Sequence, residues 1–203
     1  MSRGCSANAR RLWLLPLQLT LIVAGAAWAQ HTRPAPAQQA NKTGESAMKI
    51  TVRSTAFEPG KQIPKKYTGE GEDLSPPLTW SGAPAETKEF ALICDDPDAP
   101  RPEPWVHWVI YGIPGKLSGL PEGLPNELRL PNLPAVQGKN TWNKVGYNGA
   151  MPPPGHGVHR YYFKLYALDA ELKLQPGLTK DELLKQIKPH VIAEGELVGT
   201  YQR

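Results

Sequence analysis

A mainly β, antiparallel fold with one helix near its C-terminal end is what three features of the sequence predict. The chain has 203 residues and 22 prolines, of which only Pro16 precedes residue 30. Helices rarely survive that density, whereas short strands joined by rigid loops do. Several short runs are aromatic, β-branched or alternating, and a single stretch carries a helix-start signature. Strands dominate with little βαβ alternation, so an antiparallel sandwich with a terminal helix and a final strand is expected.

Residues 48–53 (MKITVR) alternate apolar and polar, as a half-buried strand does. Residues 58–75 are rich in charge, Gly and Pro, and read as loop with at most one short strand. Strands follow at 78–80 and 89–94, with Gly82-Ala83-Pro84 turning between them. Residues 106–113 are aromatic and β-branched throughout, which predicts a strand buried on both faces. Residues 114–145 hold five prolines and no clear period, and read as irregular. The second strong strand is 160–168. Thr179 and Glu182 then form a capping box, and Leu183, Leu184 and Ile187 an apolar stripe at helical spacing. Pro189 should kink or end that helix, with 190–194 adding another turn; Gly195 should break it, and 196–201 return as a strand.

The first 29 residues read as a secretory signal peptide. Arg10 and Arg11 precede an apolar run that closes on Ala27-Trp28-Ala29. The run is short for a membrane span and is interrupted by Pro16 and Gln18, so cleavage, and a periplasmic or secreted protein without a transmembrane anchor, is the expectation. Residues 30–47 read as a disordered spacer, leaving 48–203 as one domain. Cleavage removes Arg3, Arg10 and Arg11 and no acid, leaving 20 Lys and Arg (23 − 3) against 19 Asp and Glu. No basic run interleaves with aromatics, which argues against nucleic-acid binding. Of two cysteines only Cys94 remains, in an apolar strand, where a buried inert thiol is expected.

Two loop–strand junctions hold the residues suited to chemistry. Residues 95–111 (DDPDAPRPEPWVHWVIY) place Asp96 and Asp98 in a turn stiffened by Pro97 and Pro100. Asp96 is read as a pocket residue and Asp98 as an Asx-turn that braces the loop. His107 lies between Trp105 and Trp108. Residues 148–166 (NGAMPPPGHGVHRYYFKLY) run a Gly/Pro loop into a strand opened by His159. Two imidazoles, a carboxylate to orient one of them, and amides at Gly149, Ala150 and Met151 suit an anion cradle. Tyr161 offers a phenol facing either pocket or core. His156-x-x-His159 with Asp96 also resembles metal ligands, but no helical register aims them, so a metal-dependent hydrolase using His107, His156 and His159 is the weaker reading. No G-x-S-x-G is present, and no catalytic residue and no cofactor are assigned.

Together these segments resemble the phosphatidylethanolamine-binding protein family, in its bacterial branch often labelled Raf kinase inhibitor-like. The matching pieces are LSPPLTW at 74–80, DPDAP at 96–100, WVHW at 105–108, GYNGA at 146–150 with Pro152-Pro153, HRY at 159–161, and ELVGTY at 196–201. The resemblance spans about residues 48–203. It implies a large central sheet packed on a smaller one, and a small pocket for phosphate-like groups, including phosphoethanolamine. Carried over, the pocket residues are Asp96, Trp105, His107, Met151, Pro152, Pro153, His159 and Tyr161, with Asp98 and Gly149 as support. Met151 stands where the family often has Gly and narrows the entrance for lipid-sized ligands. The implied function is an exported, non-catalytic binding protein; the alternative is a periplasmic inhibitor or partner protein directed at a protease. A homodimer is compatible with either.

Overall fold

The fold grows around three long strands at the middle of an eight-stranded sheet. The computed structural model describes residues 48–203; the expected signal peptide and spacer lie outside the described residues. In chain order the strands are β1 (Met48–Arg53), β2 (Leu78–Ser81), β3 (Glu89–Asp96), β4 (Trp105–Pro114), β5 (Gly119–Leu120), β6 (Val136–Gln137), β7 (His159–Leu168) and β8 (Val191–Tyr201), with the helix α1 (Lys180–Ile187) before β8. The sheet order is β5-β2-β1-β8-β7-β3-β4-β6. Hydrogen bonds join all eight into one sheet, so the expected division into a large and a smaller sheet does not appear in the ladder. Nor is the sheet purely antiparallel, because β1 runs parallel to β8.

The sheet curls. Trp80 on β2 and Phe90 on β3 are separated by β1, β8 and β7, on the order of 19 Å across a flat sheet. Their rings nevertheless meet edge-on at 5.2 Å. The main core lies inside this curl and takes in Leu92, Cys94, Trp108, Phe163 and Leu165. A second core forms on the other face, where α1 lays Leu183 and Ile187 on Ala91, Ile93, Val109 and Tyr111. Each of those helix side chains contributes roughly 1.5–3 kcal/mol of burial. All eight residues of β3 are therefore buried, and β4 departs from full burial only at its two ends and at Gly112. Cys94 is a free, buried thiol, and burial pushes its pKa well up, leaving it inert at neutral pH.

The capping box forms as the sequence predicts, with Thr179 accepting from the Glu182 amide and Glu182 from the Thr179 amide. Pro189 does end the helix, in a 3-10 turn at Lys188–His190. The next expectation is corrected: 190–194 do not extend the helix, because β8 begins at Val191 and passes straight through Gly195. A Cβ at Gly195 would stand 2.2 Å from the Ile50 carbonyl oxygen. Gly195 is there to let β1 approach in parallel, not to break a helix. Among the described residues no helix is long and apolar enough to cross a membrane.

Candidate functional site

The exit of β3, the start of β4 and the start of β7 meet at one end of the sheet, because β4 and β7 both pair antiparallel with β3. Asp95 and Asp96 close β3 and point to opposite faces. Asp95 is fully buried against α1 and takes Lys164 Nζ at 2.9 Å and Lys180 Nζ at 2.5 Å, which fastens the helix start to the sheet. Asp96 faces the other way, and its Oδ2 accepts from His159 Nδ1 at 2.7 Å in a fully enclosed pair.

His107 owes its direction to a bulge. Trp108 pairs with Cys94 and Val106 with Asp95, so His107 is an extra residue on β4. The strand's alternation flips there: Val106 joins the core under α1, while Trp108 joins the main core. Bulges of this kind re-aim side chains beside functional sites. His107 packs edge-on against Tyr161 and Trp142, both at 5.1 Å, and its Nδ1 donates to the Asn148 carbonyl at 2.6 Å.

These residues enclose a cavity of about 270 Å³ lined by Asp96, Ala99, Pro100, Trp105, His107, Trp142, Met151, Pro152, Pro153, His159 and Tyr161. All eight pocket residues expected from the sequence line it. Wider hollows of about 410 and 570 Å³ exist elsewhere on the surface. What sets this one apart is its polar accounting. Among the described residues, two buried side-chain polar atoms have no hydrogen-bond partner, Trp105 Nε1 and Tyr161 Oη, and both belong to its walls. Buried donors are nearly always paired, so two orphans in one small cavity mark a place for an acceptor.

The supports differ in part from expectation. The Asx-turn is made by Asp96, whose Oδ1 accepts from the Asp98 amide at 2.8 Å, and not by Asp98. Asp98 instead clamps the start of β7, accepting from Arg160 Nε, an Arg160 guanidinium nitrogen and the Arg160 amide. The guanidinium holds the Asp98 carboxyl below the usual carboxylate range. Gly149 was expected to lend its amide to an anion; that amide donates to Asp73 Oδ1 at 2.5 Å. Asp73 also takes Asn148 Nδ2 at 3.2 Å and adopts φ 58°, stitching the Gly/Pro loop to the 65–73 segment.

Sequence reasoning missed Trp142, Asn140 and the turn that presents them. Asn140 Oδ1 accepts from the amides of Trp142 and Lys144, and its Nδ2 reaches Asn148 Oδ1 at 2.8 Å. Asn140-x-x-Asn143, with Asn143 at φ 58°, was the only local signal for this turn. His156, which the sequence places only in the weaker metal-ligand reading, does meet His159, its Nδ1 lying 2.8 Å from His159 Nε2. Among the described residues no group of three or more His, Cys, Asp or Glu is placed to hold a metal ion. His107, His156 and His159 therefore do not stand together as a three-ligand metal centre.

Burial, outweighing the Asn148 carbonyl and the Asp96 charge, pushes the His107 pKa below its ordinary 6.5. The folded state then binds fewer protons here than the unfolded chain, so stability falls as pH drops through the ordinary histidine range. His107→Gln should flatten that loss, as read from urea midpoints at pH 7.5 and 5.5. An equal loss in the variant would show that other groups cause it.

Comparison with known proteins agrees on one family. A family model described as phosphatidylethanolamine-binding protein matches residues 53–202. A UPF0098 protein from Methanothermobacter thermautotrophicus is 48% identical over 154 residues, which cover 76% of this chain and 99% of that protein. Among solved structures, Escherichia coli YbcL, described as a member of the mammalian PEBP family, aligns with a TM-score of 0.70 at 34% identity, covering 76% of this chain and 98% of YbcL. The PEBP homologue CT736 from Chlamydia trachomatis aligns with a TM-score of 0.68 at 43% identity, covering 77% and 98%.

Proposed function

Because this chain belongs to the phosphatidylethanolamine-binding protein family, we propose that it is a binding protein whose cavity takes the phosphate-like end of a small ligand, phosphoethanolamine being the model compound. The observation that carries this reading is the pair of unpartnered donors, Trp105 Nε1 and Tyr161 Oη, in the wall of the 270 Å³ cavity. A phosphate oxygen supplies the acceptors both lack. His107 and the Asp96-backed His159 stand beside them to share the negative charge. Among the described residues no Lys or Arg lines the cavity, so an anion here depends on imidazole protons, and binding should strengthen as pH falls. The volume suits a headgroup and not a whole lipid, and Met151, 49% exposed at the mouth, narrows access further. Nothing in this site calls for turnover: the proposed role is capture, without catalysis.

The apolar run before residue 30 supports export as part of this proposal, and a mature N-terminus at Gln30 in protein recovered from the cell envelope is the check. The binding reading is tested by titrating phosphate and phosphoethanolamine while following the imidazole resonances. Saturable shifts at His107 and His159 are expected; no shift at either removes the proposal.

A second reading, a partner or protease-directed inhibitor using the pocket rim, has its own observation. Of four exposed large apolar side chains among the described residues, Trp142 and Met151 line this cavity. Capture of a stoichiometric envelope protein that is lost with Met151→Asp, together with imidazoles indifferent to phosphate, would favour it.

A further inference from the structure

His156 is used neither by the cavity lining nor by the fold, yet its ring is aimed. It sits on an exposed loop between Gly155 at φ 72° and Gly157 at φ 89°, and a Cβ at either glycine would meet nothing within 4 Å. These two left-handed glycines bend the chain back on itself. As a result His156 Nδ1 faces His159 Nε2 at 2.8 Å, the rings standing 5.0 Å apart. Behind them, His159 Nδ1 is committed to Asp96 Oδ2 at 2.7 Å.

We propose that His156 Nδ1 and His159 Nε2 form a site for an imidazole-preferring divalent transition metal, zinc or copper(II). Two ring nitrogens this close hold one proton between their two lone pairs, and a metal ion can take that proton's place. A metal at about 2.0–2.1 Å from each nitrogen needs them to open to roughly 3.3 Å. The exposed, glycine-flanked His156 can make that small swing; the buried His159 need not move. Asp96 does what carboxylates do behind metal-bound histidines: it holds Nδ1–H and so fixes the tautomer in which Nε2 carries the lone pair. On binding, the shared proton leaves to solvent and His156 takes one up at Nε2, a tautomer change with no net proton lost. Both rings stay neutral with one N–H each, His159 Nδ1–H on Asp96 and His156 Nε2–H in water. With two protein donors the remaining positions stay open to water, which makes this an exchangeable site and not a structural one. The inference shares His159 and Asp96 with the anion reading but needs neither Tyr161 nor His107, so Zn²⁺ uptake and phosphate binding can fail separately.

The test is calorimetric titration of the EDTA-treated, dialysed full chain with Zn²⁺ alone, in phosphate-free buffer at neutral pH. One equivalent per chain is expected, with ¹⁵N shifts at His156 Nδ1 and His159 Nε2. His156→Ala, at an exposed position, should abolish that equivalent, and Val158→Ala should leave it intact. Asp96→Asn should weaken it by about ten- to a hundredfold. Absence of saturable one-to-one uptake, or unchanged uptake by His156→Ala, overturns the proposal.

Discussion

Tyr161→Phe should make the ligand-free protein more stable and bind phosphate worse. The phenol is 1% exposed and its oxygen has no partner among the described residues. An unsatisfied buried donor costs about 1–3 kcal/mol, and removing it with an otherwise isosteric ring recovers much of that. For a domain of this size the gain should appear as a rise of several degrees in Tm, at roughly 2–4 °C per kcal/mol. Burial pushes the phenol pKa far above the physiological range, so Tyr161 is always a donor and never competes with an anion. A neutral hydroxyl donating to a charged oxygen is worth about 1.5–3 kcal/mol, so phosphate affinity should fall about ten- to a hundredfold in the same variant. The opposite signs are the diagnostic. A tyrosine serving only the core would lose stability on truncation and leave binding alone, and that outcome would remove Tyr161 from the site. Thermal denaturation without ligand and a phosphate titration followed at His107 and His159 read both effects.

What was legible in the sequence was what is local. The central strands announce themselves because runs such as 106–113 are aromatic or β-branched at nearly every residue, and the helix start because Thr179 and Glu182 stand three apart. The pocket residues were legible one at a time from the two junctions. Their convergence follows from β4 and β7 both pairing with β3, which brings Asp96, Trp105 and His159 to one sheet end. The bulge at His107 was hidden, because a strand buried on both faces shows no alternation for a bulge to interrupt. The parallel pairing of β1 with β8 joins residues far apart in the chain and leaves no periodic trace. Gly195 shows the ambiguity of a single glycine: helix-breaker and close-approach residue look alike until the neighbouring strand is known. Trp142 was lost because its turn is built by the Asn140 side chain inside a stretch with no period at all.

Gly149→Ala should damage fold and pocket together. A Cβ at Gly149 would lie 2.5 Å from the Tyr67 carbonyl oxygen, 2.6 Å from Thr68 Cα and 2.9 Å from Asp73 Oδ1. Two of these are backbone atoms, so no side chain can swing aside and the loop itself must lift. Lifting strains the Asp73 bonds to Gly149 and Asn148 and the Gly69 amide bond to the Ala150 carbonyl. Overpacking of this kind costs about 1–3 kcal/mol, and lost hydrogen bonds add to it, so a loss near 3 kcal/mol is expected. The same loop supplies the Asn148 carbonyl that orients His107 and carries Met151, Pro152 and Pro153 into the cavity wall. Phosphate affinity should therefore fall with stability, even at temperatures where the variant is fully folded. Gly157→Ala is the control: its Cβ meets nothing, so only the left-handed backbone at φ 89° is penalised, by about 1–2 kcal/mol. Urea denaturation and the imidazole-detected titration on both variants decide the matter. If Gly149→Ala is no worse than Gly157→Ala in either measurement, the loop is not held against the 65–73 segment as described, and the cavity wall it forms is not fixed.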